Sequence, residues 1–194
     1  MILYNAPASP FGRKTRVVAE ELGIPLEERP IEVATSEFLD EYNPLRQIPT
    51  LVHEDGSAVY DSRVICPYLD SISGKPTLYP EQDRWQMLTR EALGNGLMEA
   101  VLQRRMETLR PDGEKSPGFI AKLEARIRRS VGRLEAVAAE LVAGPLRIDQ
   151  ITAACALEYA DFRYSGEWRK SAPRVARWLE AFATRPSMVA TRPK

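Results

Sequence analysis

Ser9, Pro10, Phe11 and Gly12 lie where an apolar strand pattern changes into an amphipathic helix pattern. A serine N-cap followed by proline at the first helical position is a common way for a helix to begin. The first turn of such a helix has unpaired backbone N–H groups and the positive end of the helix dipole, so it can stabilise an anion. That anion could be a phosphate, a carboxylate or a thiolate. Ser9 is therefore either a plain helix cap or part of an anion-binding site.

Pro49 directly precedes an apolar strand pattern that begins at Thr50. Proline donates no backbone hydrogen bond, so within sheets it is confined to edges, strand starts and bulges. A cis Ile48–Pro49 bond would hold the backbone groups of Ile48 out of the sheet, free to bind an extended peptide-like ligand. A plain edge-strand proline is the alternative interpretation.

Asp61 and Ser62 open a third element, a helix that follows a short strand pattern. Both residue types cap helices well, because their side chains accept hydrogen bonds from the first backbone N–H groups. The same side chains could accept from and donate to an amino-acid head group. Both interpretations stay open from the residues alone.

Other kinds of chemistry are excluded by what the sequence lacks. His53 is the only histidine, so the chain by itself builds no Ser-His-Asp triad, no H-E-x-x-H site and no Cys/His zinc cluster. The phosphate-binding patterns G-x-x-x-x-G-K-[ST] and G-x-G-x-x-G do not occur. Cys66 and Cys155 lie far apart in apolar segments, so we expect reduced, buried thiols rather than a disulfide.

Composition narrows the class of protein further. The 194 residues carry 27 Lys and Arg against 27 Asp and Glu, and this zero net charge argues against general nucleic-acid binding. With 44% hydrophobic and 28% charged residues the chain is neither disordered nor fibrous. No apolar run is long enough to suggest a membrane span, and the N-terminus reads as a strand without a secretory signal, so a cytoplasmic protein is expected.

The first part of the chain alternates strand and helix patterns, which predicts a βαβ unit with parallel strands followed by a hairpin. The predicted strands are Ile2 to Asn5, Glu28 to Val33, Thr50 to His53 and Ala58 to Tyr60. The predicted helices run from Ser9 to Gly23, from Thr35 to Tyr42 and from Asp61 to about Ser71.

Beyond residue 80 the pattern is helical throughout, after a Gly- and Pro-containing connector that interrupts all periodicity. The predicted helices run from Trp85 through Val101, from Ser116 to Leu141, from Asp149 to Phe162 and from Pro173 to Ala183. These patterns predict a first domain over residues 1–73, a linker over 74–80 and a helical domain over 81–194.

Three motifs in order carry a resemblance to a known family: S-P-F-x-R-K-x-R at Ser9 to Arg16, N-P-L-x-x-I-P-T-L at Asn43 to Leu51, and D-S-x-x-I at Asp61 to Ile65. Over nearly its whole length the chain resembles the cytosolic glutathione transferases, in particular bacterial members with S-P-F at the start of the first helix. The resemblance implies an α/β plus all-α fold, in which a thioredoxin-like βαβαββα domain precedes an all-helical domain. It also implies a homodimer.

The resemblance implies roles for particular residues. Ser9 falls where glutaredoxins have the first cysteine of their redox pair, and Gly12 falls where they have the second, so disulfide exchange through this motif is not available. Ser9 would instead donate a hydrogen bond to a glutathione thiolate and lower the thiol pKa. The other implied glutathione contacts are Phe11, Gln47, the backbone of Ile48, a cis Pro49, Asp61 and Ser62.

Some positions depart from the family pattern. Gln47 stands where the family often has a lysine, which leaves the glycyl carboxylate of glutathione to Arg46 or Arg13. Arg147 and Gln150 stand where many members have the capping box of a core helix, and Gln150 or a shifted cap at Asp149 is expected to start that helix. Tyr4 and Asn5 are alternative activating residues, for which a structural role is the expectation.

By the same resemblance, an electrophile pocket would be lined by Phe11, Gly96, Met98, Leu102 and Met106. The implied activity is transfer of the glutathione thiolate to a small hydrophobic electrophile, with glutathione as co-substrate and with no metal, nucleic acid or membrane involved. Two alternatives are open: a non-catalytic binding or regulatory protein on this scaffold, and a glutathione-dependent isomerase or dehalogenase.

Overall fold

The computed structural model describes residues 1–142 and 144–193. The chain forms two compact units. The first unit comprises Met1–Glu81 together with the segment from Pro186 onward, and the second comprises Gln82–Arg185. The C-terminal segment, which the sequence patterns place in the helical domain, thus belongs to the first unit.

A four-stranded mixed sheet forms the centre of the first unit, in the order β2-β1-β3-β4. Its strands are β1 (Ile2–Asn5), β2 (Glu27–Pro30), β3 (Thr50–Val52) and β4 (Ala58–Val59). β1 pairs in parallel with β2 and antiparallel with β3, which confirms the predicted βαβ unit and hairpin. Leu3 and Leu51, on the central strands, are fully buried.

Two helices of this unit pack against each other, α1 (Pro10–Leu22) and α2 (Ser62–Ile72). α1 begins at the predicted Ser9 cap and ends at Gly23, whose φ of 69° requires the left-handed conformation that glycine adopts most readily. Val17 and Val18 give α1 its buried face. The helix starts and stops predicted for both α1 and α2 are confirmed to within a residue.

Two predictions for the first unit are wrong: the end of the second strand and the helix that follows it. The second strand ends at Pro30 instead of Val33, because its partner β1 ends at Asn5, the residue paired with Pro30. The predicted helix from Thr35 to Tyr42 is replaced by two short 3₁₀ turns, Val33–Thr35 and Glu37–Glu41. Between them Ser36 leaves helical geometry and donates its hydroxyl to the carbonyl of Glu32 at 2.8 Å, a local bond that competes with an α-helix.

The second unit is helical. Its helices are α3 (Arg84–Thr108), α4 (Pro117–Ala136), α5 (Ala138–Val142), α6 (Ile148–Arg163), α7 (Trp168–Ser171) and α8 (Pro173–Phe182). α6 is the central helix, because every residue from Ile148 to Leu157 is buried, and α3 packs along it. In the first unit, α9 (Pro186–Ala190) packs on α1.

The single helix predicted from Ser116 to Leu141 is divided in two. α4 ends at Ala136, and Val137, with φ −103° and ψ 14°, turns the chain into α5. The turn allows Ala138 and Leu141 to be buried, although they follow a long amphipathic helix. The sequence patterns also missed α7 and α9, which have only four and five residues.

α6 begins at Ile148, one residue before the predicted start at Asp149. Arg147 is the N-cap residue, and its backbone N–H donates to Gln150 Oε1 at 2.8 Å, which is half of a capping box. The other half is missing, since a guanidinium has no acceptor for a backbone N–H. The expectation of a shifted cap at Asp149 is wrong, because this side chain is fully buried and binds Arg90 Nε at 2.6 Å.

α8 receives its N-terminal cap from another helix. Ala172 cannot cap it, and the carboxylate of Glu135 on α4 accepts from the backbone N–H groups of Arg174 at 3.0 Å and Val175 at 2.9 Å. Burial alone would raise the pKa of Glu135, but the hydrogen bonds from the Arg174 side chain and these N–H groups hold the pKa below its ordinary value. Glu135 therefore stabilises α8 as a carboxylate.

Replacing Glu135 by Gln should lower the free energy of unfolding by about 1–2 kcal/mol near neutral pH, because a charged acceptor at a helix N-terminus is lost. A carboxyl whose pKa is lowered by folding contributes stability above its unfolded pKa, and this contribution is lost as the pH falls through the folded pKa. The difference between wild type and Glu135→Gln should therefore shrink below about pH 4. Urea unfolding across this pH range measures it.

Glu180→Gln is the matched control, since Glu180 lies on α8 and is 68% exposed, 3.6 Å from Arg169. It should change the stability little at any pH. Equal losses for the two variants, or a Glu135→Gln loss that does not depend on pH, would contradict the capping role.

No helix within the described part of the chain is long and apolar enough to cross a membrane.

Candidate functional site

The sheet topology brings three of the predicted segments to one end of the first unit. Tyr4 at the end of β1 pairs with Thr50 at the start of β3, and Leu51 pairs with Val59 at the end of β4. Because these strands alternate in direction, the turn that follows β1, the segment that precedes β3 and the segment that follows β4 share the same sheet edge. Ser9, Ile48 and Asp61 lie in these three segments.

Ser9 is the N-cap of α1, the first of the two interpretations offered by the sequence. Its side-chain oxygen accepts a hydrogen bond from the Gly12 N–H at 3.1 Å, which is a helix cap. Its backbone N–H donates to the Ala6 carbonyl at 2.9 Å and so closes the turn that precedes α1. Among the described residues the Ser9 hydroxyl hydrogen has no acceptor, so the capping oxygen can also donate to a ligand.

The Ile48–Pro49 bond is cis, as predicted. Pro49 is buried, and Ile48 packs half-buried against the cluster of Tyr4, Leu39 and Val52. The backbone N–H and carbonyl of Ile48 make no hydrogen bond to any residue in the described ranges. These are the groups that the sequence predicted to be free for a peptide-like ligand.

Asn43 holds this loop, a role that the sequence analysis missed. Its side chain is 1% exposed, and its Nδ2 donates to the Gln47 carbonyl and to Thr50 Oγ1, both at 3.0 Å. Its Oδ1 accepts from the Leu45 N–H at 3.0 Å. The sequence analysis used Asn43 only as part of the N-P-L-x-x-I-P-T-L motif, although an Asx-type turn at such an Asn was the signal that could have indicated this role.

The two arginines considered for the glycyl carboxylate of glutathione have partners within the chain. Arg46 donates from Nε to Asp40 Oδ1 at 2.6 Å, and this hydrogen bond holds the pKa of the Asp40 carboxyl below its ordinary value. Arg13 is 2% exposed and donates to the Met188 carbonyl at 3.2 Å. Arg13 is thus directed into the fold and is not a surface ligand, while Gln47 remains exposed at the site.

The start of α2 differs from a simple capped helix. Asp61 is its N-cap and accepts from the Arg63 N–H at 2.8 Å, which confirms the predicted cap, and the Tyr60–Asp61 peptide bond is cis. Ser62 is 1% exposed, and its hydroxyl has no hydrogen-bond partner among the residues described. A buried polar group without a partner costs free energy, and such groups are enriched where a ligand supplies the bond.

The two alternative activating residues differ from each other. Tyr4 is 7% exposed and packs against the rings of Phe38, at 5.1 Å between centroids, and Tyr42, at 6.0 Å. This packing supports the expected structural role for Tyr4. Asn5 is 3% exposed, and its Oδ1 has no partner among the described residues.

Most of the residues predicted to line an electrophile pocket lie on α3 in the second unit. Met98 is fully buried, Leu102 is half-buried and Met106 is 58% exposed, so the three side chains do not share one exposed surface. Their contact with an electrophile stays a prediction.

Comparison with known protein families shows to which family the chain belongs. The family model "Glutathione S-transferase, N-terminal domain" matches residues 3–77, and "Glutathione S-transferase, C-terminal domain" matches residues 99–181. The chain belongs to the glutathione S-transferase family. Both the resemblance and the predicted fold class, a thioredoxin-like domain followed by a helical domain, are confirmed.

Relatives of this glutathione S-transferase family member cover the whole chain. The uncharacterised GST-like protein YibF of Escherichia coli K12 is 31% identical, covering 100% of this chain and 98% of its own. A glutathione transferase family member from Pseudomonas fluorescens Pf-5, solved with bound glutathione, is 38% identical with a TM-score of 0.95, covering 100% and 98% of the two chains. A glutathione S-transferase from Methylobacillus flagellatus KT, solved with glutathione bound, is 31% identical with a TM-score of 0.94, covering 100% and 99%.

Proposed function

We propose that this protein is a glutathione transferase that binds glutathione at the shared sheet edge and activates its thiol at Ser9. The single observation that carries the proposal is the Ser9 side chain, whose oxygen is fixed by the Gly12 N–H while its hydroxyl hydrogen has no acceptor within the described part of the chain and can donate. A hydrogen bond to the thiolate, added to the dipole of α1, favours the charged sulfur and lowers the thiol pKa.

The other groups at this edge fit the remaining parts of glutathione. The free backbone groups of Ile48 suit the cysteinyl part, which is a peptide unit. The Asp61 carboxylate and the buried Ser62 hydroxyl suit the ammonium and carboxylate of the γ-glutamyl end. Phe11 and the exposed Gln47 border these groups in sequence, and solved family members carry glutathione.

The reaction that follows is attack of the glutathione sulfur on a small hydrophobic electrophile. The thiol proton passes to solvent as the thiolate forms. A sulfur electron pair then makes a carbon–sulfur bond, while a leaving group departs with its bonding electrons or the electron pair of an activated double bond is displaced and then protonated by solvent. Ser9 lowers the barrier by holding the thiolate at neutral pH and by positioning it. We expect a cytoplasmic homodimer, with Met98, Leu102 and Met106 contacting the electrophile and with glutathione as the co-substrate.

The test is a pH titration of bound glutathione, followed by the ultraviolet absorbance of the thiolate. We expect the thiol pKa to lie below the ordinary value of about 8.5 in wild type and to rise by about one to two units in Ser9→Ala. Ser9→Thr, which keeps the hydroxyl, should retain most of the shift.

Ser116→Ala is the matched control, because Ser116 caps α4 through the Phe119 N–H at 3.3 Å and also precedes a proline. Both alanine variants should lose about 1 kcal/mol of stability, while only Ser9→Ala should change the thiol pKa. Glutathione that binds with an ordinary thiol pKa in wild type would contradict the transferase mechanism and favour a non-catalytic binding protein. A lowered pKa without transfer to any electrophile would favour a glutathione-dependent isomerase or dehalogenase.

A further inference from the structure

Asn5 is the last residue of β1 and lies four positions before Ser9 in sequence. Its buried side-chain amide lowers the stability of the fold. The side chain is 3% exposed, and its Oδ1 has no hydrogen-bond partner among residues 1–142 and 144–193. A buried polar group without a partner costs about 1–3 kcal/mol. An apolar side chain at this position would avoid that free-energy cost. The presence of an amide therefore suggests a functional role for Asn5.

The Asn5 side chain occupies the space that a side chain at position 12 would need. A Cβ added to Gly12 would lie 1.7 Å from Asn5 Oδ1, 2.3 Å from its Cγ and 2.6 Å from its Nδ2. Gly12 lies in the first turn of α1, where glycine is about 1 kcal/mol less favourable than alanine. Position 12 therefore requires glycine, because the Asn5 amide packs directly on the helix backbone and leaves no space for a side chain there.

Gly12, which Asn5 contacts, is hydrogen-bonded directly to Ser9, the proposed activating residue. The Gly12 N–H donates to Ser9 Oγ at 3.1 Å, and this bond fixes the direction in which the Ser9 oxygen points. Asn5 and Gly12 thus close the turn of residues 6–9 from both ends, and the Ser9 N–H bond to Ala6 closes it from within.

We propose that Asn5 is a positioning residue for glutathione activation: its amide, packed on Gly12, holds the first turn of α1 so that the Ser9 hydroxyl is aimed at the thiolate. This inference rests on the proposed function of Ser9 and adds a residue to it. Asn5 acts through Gly12 and Ser9, and positions 5 and 12 form one coupled pair.

The test is a double-mutant cycle of Asn5→Ala, Gly12→Ala and the double variant, with two readouts: urea unfolding and the thiol pKa of saturating glutathione. Asn5→Ala should fold, bind glutathione and raise the thiol pKa by about half to one unit, which is a three- to tenfold fall in the acid dissociation constant of the thiol. Gly12→Ala alone should be strongly destabilised by the overlap. The double variant should recover that stability, because Asn5→Ala removes all three overlapping atoms, while its thiol pKa stays raised.

Several outcomes would overturn the proposal. A thiol pKa in Asn5→Ala equal to a lowered wild-type value would show that Asn5 is structural only and would leave the role of Ser9 intact. Additive stability losses across the cycle would show that positions 5 and 12 are not coupled. An ordinary thiol pKa already in wild type would instead remove the proposed function and this inference with it, so the two failures are distinguishable.

Discussion

Replacing Asp149 by Ala should lower the free energy of unfolding by about 3–5 kcal/mol. Asp149 is fully buried in the first turn of α6, where its Oδ2 accepts from Arg90 Nε at 2.6 Å and its Oδ1 accepts from Arg147 Nε at 3.4 Å. Arg90 is itself 9% exposed. Removing the carboxylate leaves that buried guanidinium with only the exposed Glu140 carboxylate as its partner, and breaking a buried ion pair is among the costliest changes to a protein.

Glu140→Ala is the matched control, because Glu140 binds the same arginine from the surface. Its carboxylate accepts from Arg90 Nη1 at 2.6 Å, but its side chain is 55% exposed, so water replaces the bond when it is lost. We expect a loss below about 1 kcal/mol. Urea unfolding of both variants compares the stability contribution of the buried partner with that of the exposed one. Similar losses would show that burial of Asp149 does not determine how much the ion pair stabilises the protein.

The ion pair also shows which features a sequence discloses. The Ser9 cap, the Gly23 stop and the Asp61 cap follow from local patterns, because each depends on residues within about four positions of one another. The cis Pro49 follows from the family resemblance. Asp149 was interpreted with the same local rules, as a shifted cap. Its true partner, Arg90, is 59 positions away in sequence, and no local rule connects the two.

The candidate site likewise has some features that follow from local sequence and others that depend on residues distant in sequence. Its positions follow from local motifs and from the order of the strands, which the sequence indicates well. The Ser62 hydroxyl, which lacks a partner among the described residues, and the packing of Asn5 on Gly12 depend on side-chain placement in three dimensions, which local sequence rules do not give. Likewise the cap of α8 comes from Glu135, 39 positions before Arg174, so the sequence of α8 itself gives no sign of it.

Two glycines of α3 make the second large prediction, because identical substitutions two residues apart should have opposite effects. The two glycines are Gly94 and Gly96, both inside α3. A Cβ at Gly94 would lie 2.8 Å from Thr152 Cγ2 and 3.2 Å from the backbone carbonyl carbon and oxygen of Thr152. α6 is the buried central helix of the second unit, so its backbone cannot move aside without disturbing the whole core.

Gly96 faces a different neighbour. A Cβ there meets only Arg126 Nη2, at 3.1 Å, and this is the end of a flexible side chain that is 42% exposed. Gly96→Ala should therefore raise the stability by up to about 1 kcal/mol through the higher helix propensity of alanine. Gly94→Ala gains the same propensity but must overpack against α6, which costs about 1–3 kcal/mol or more.

The two variants should thus differ by about 1–3 kcal/mol in free energy of unfolding, measured side by side in urea. The comparison cancels helix propensity, which is the same at both positions, and leaves the contact with Thr152 as the difference. Thr152→Ser removes the nearest methyl carbon and should recover part of the Gly94→Ala loss, although the backbone contact at 3.2 Å remains. Equal effects at the two glycines would mean that α3 and α6 are not packed closely enough for position 94 to require glycine.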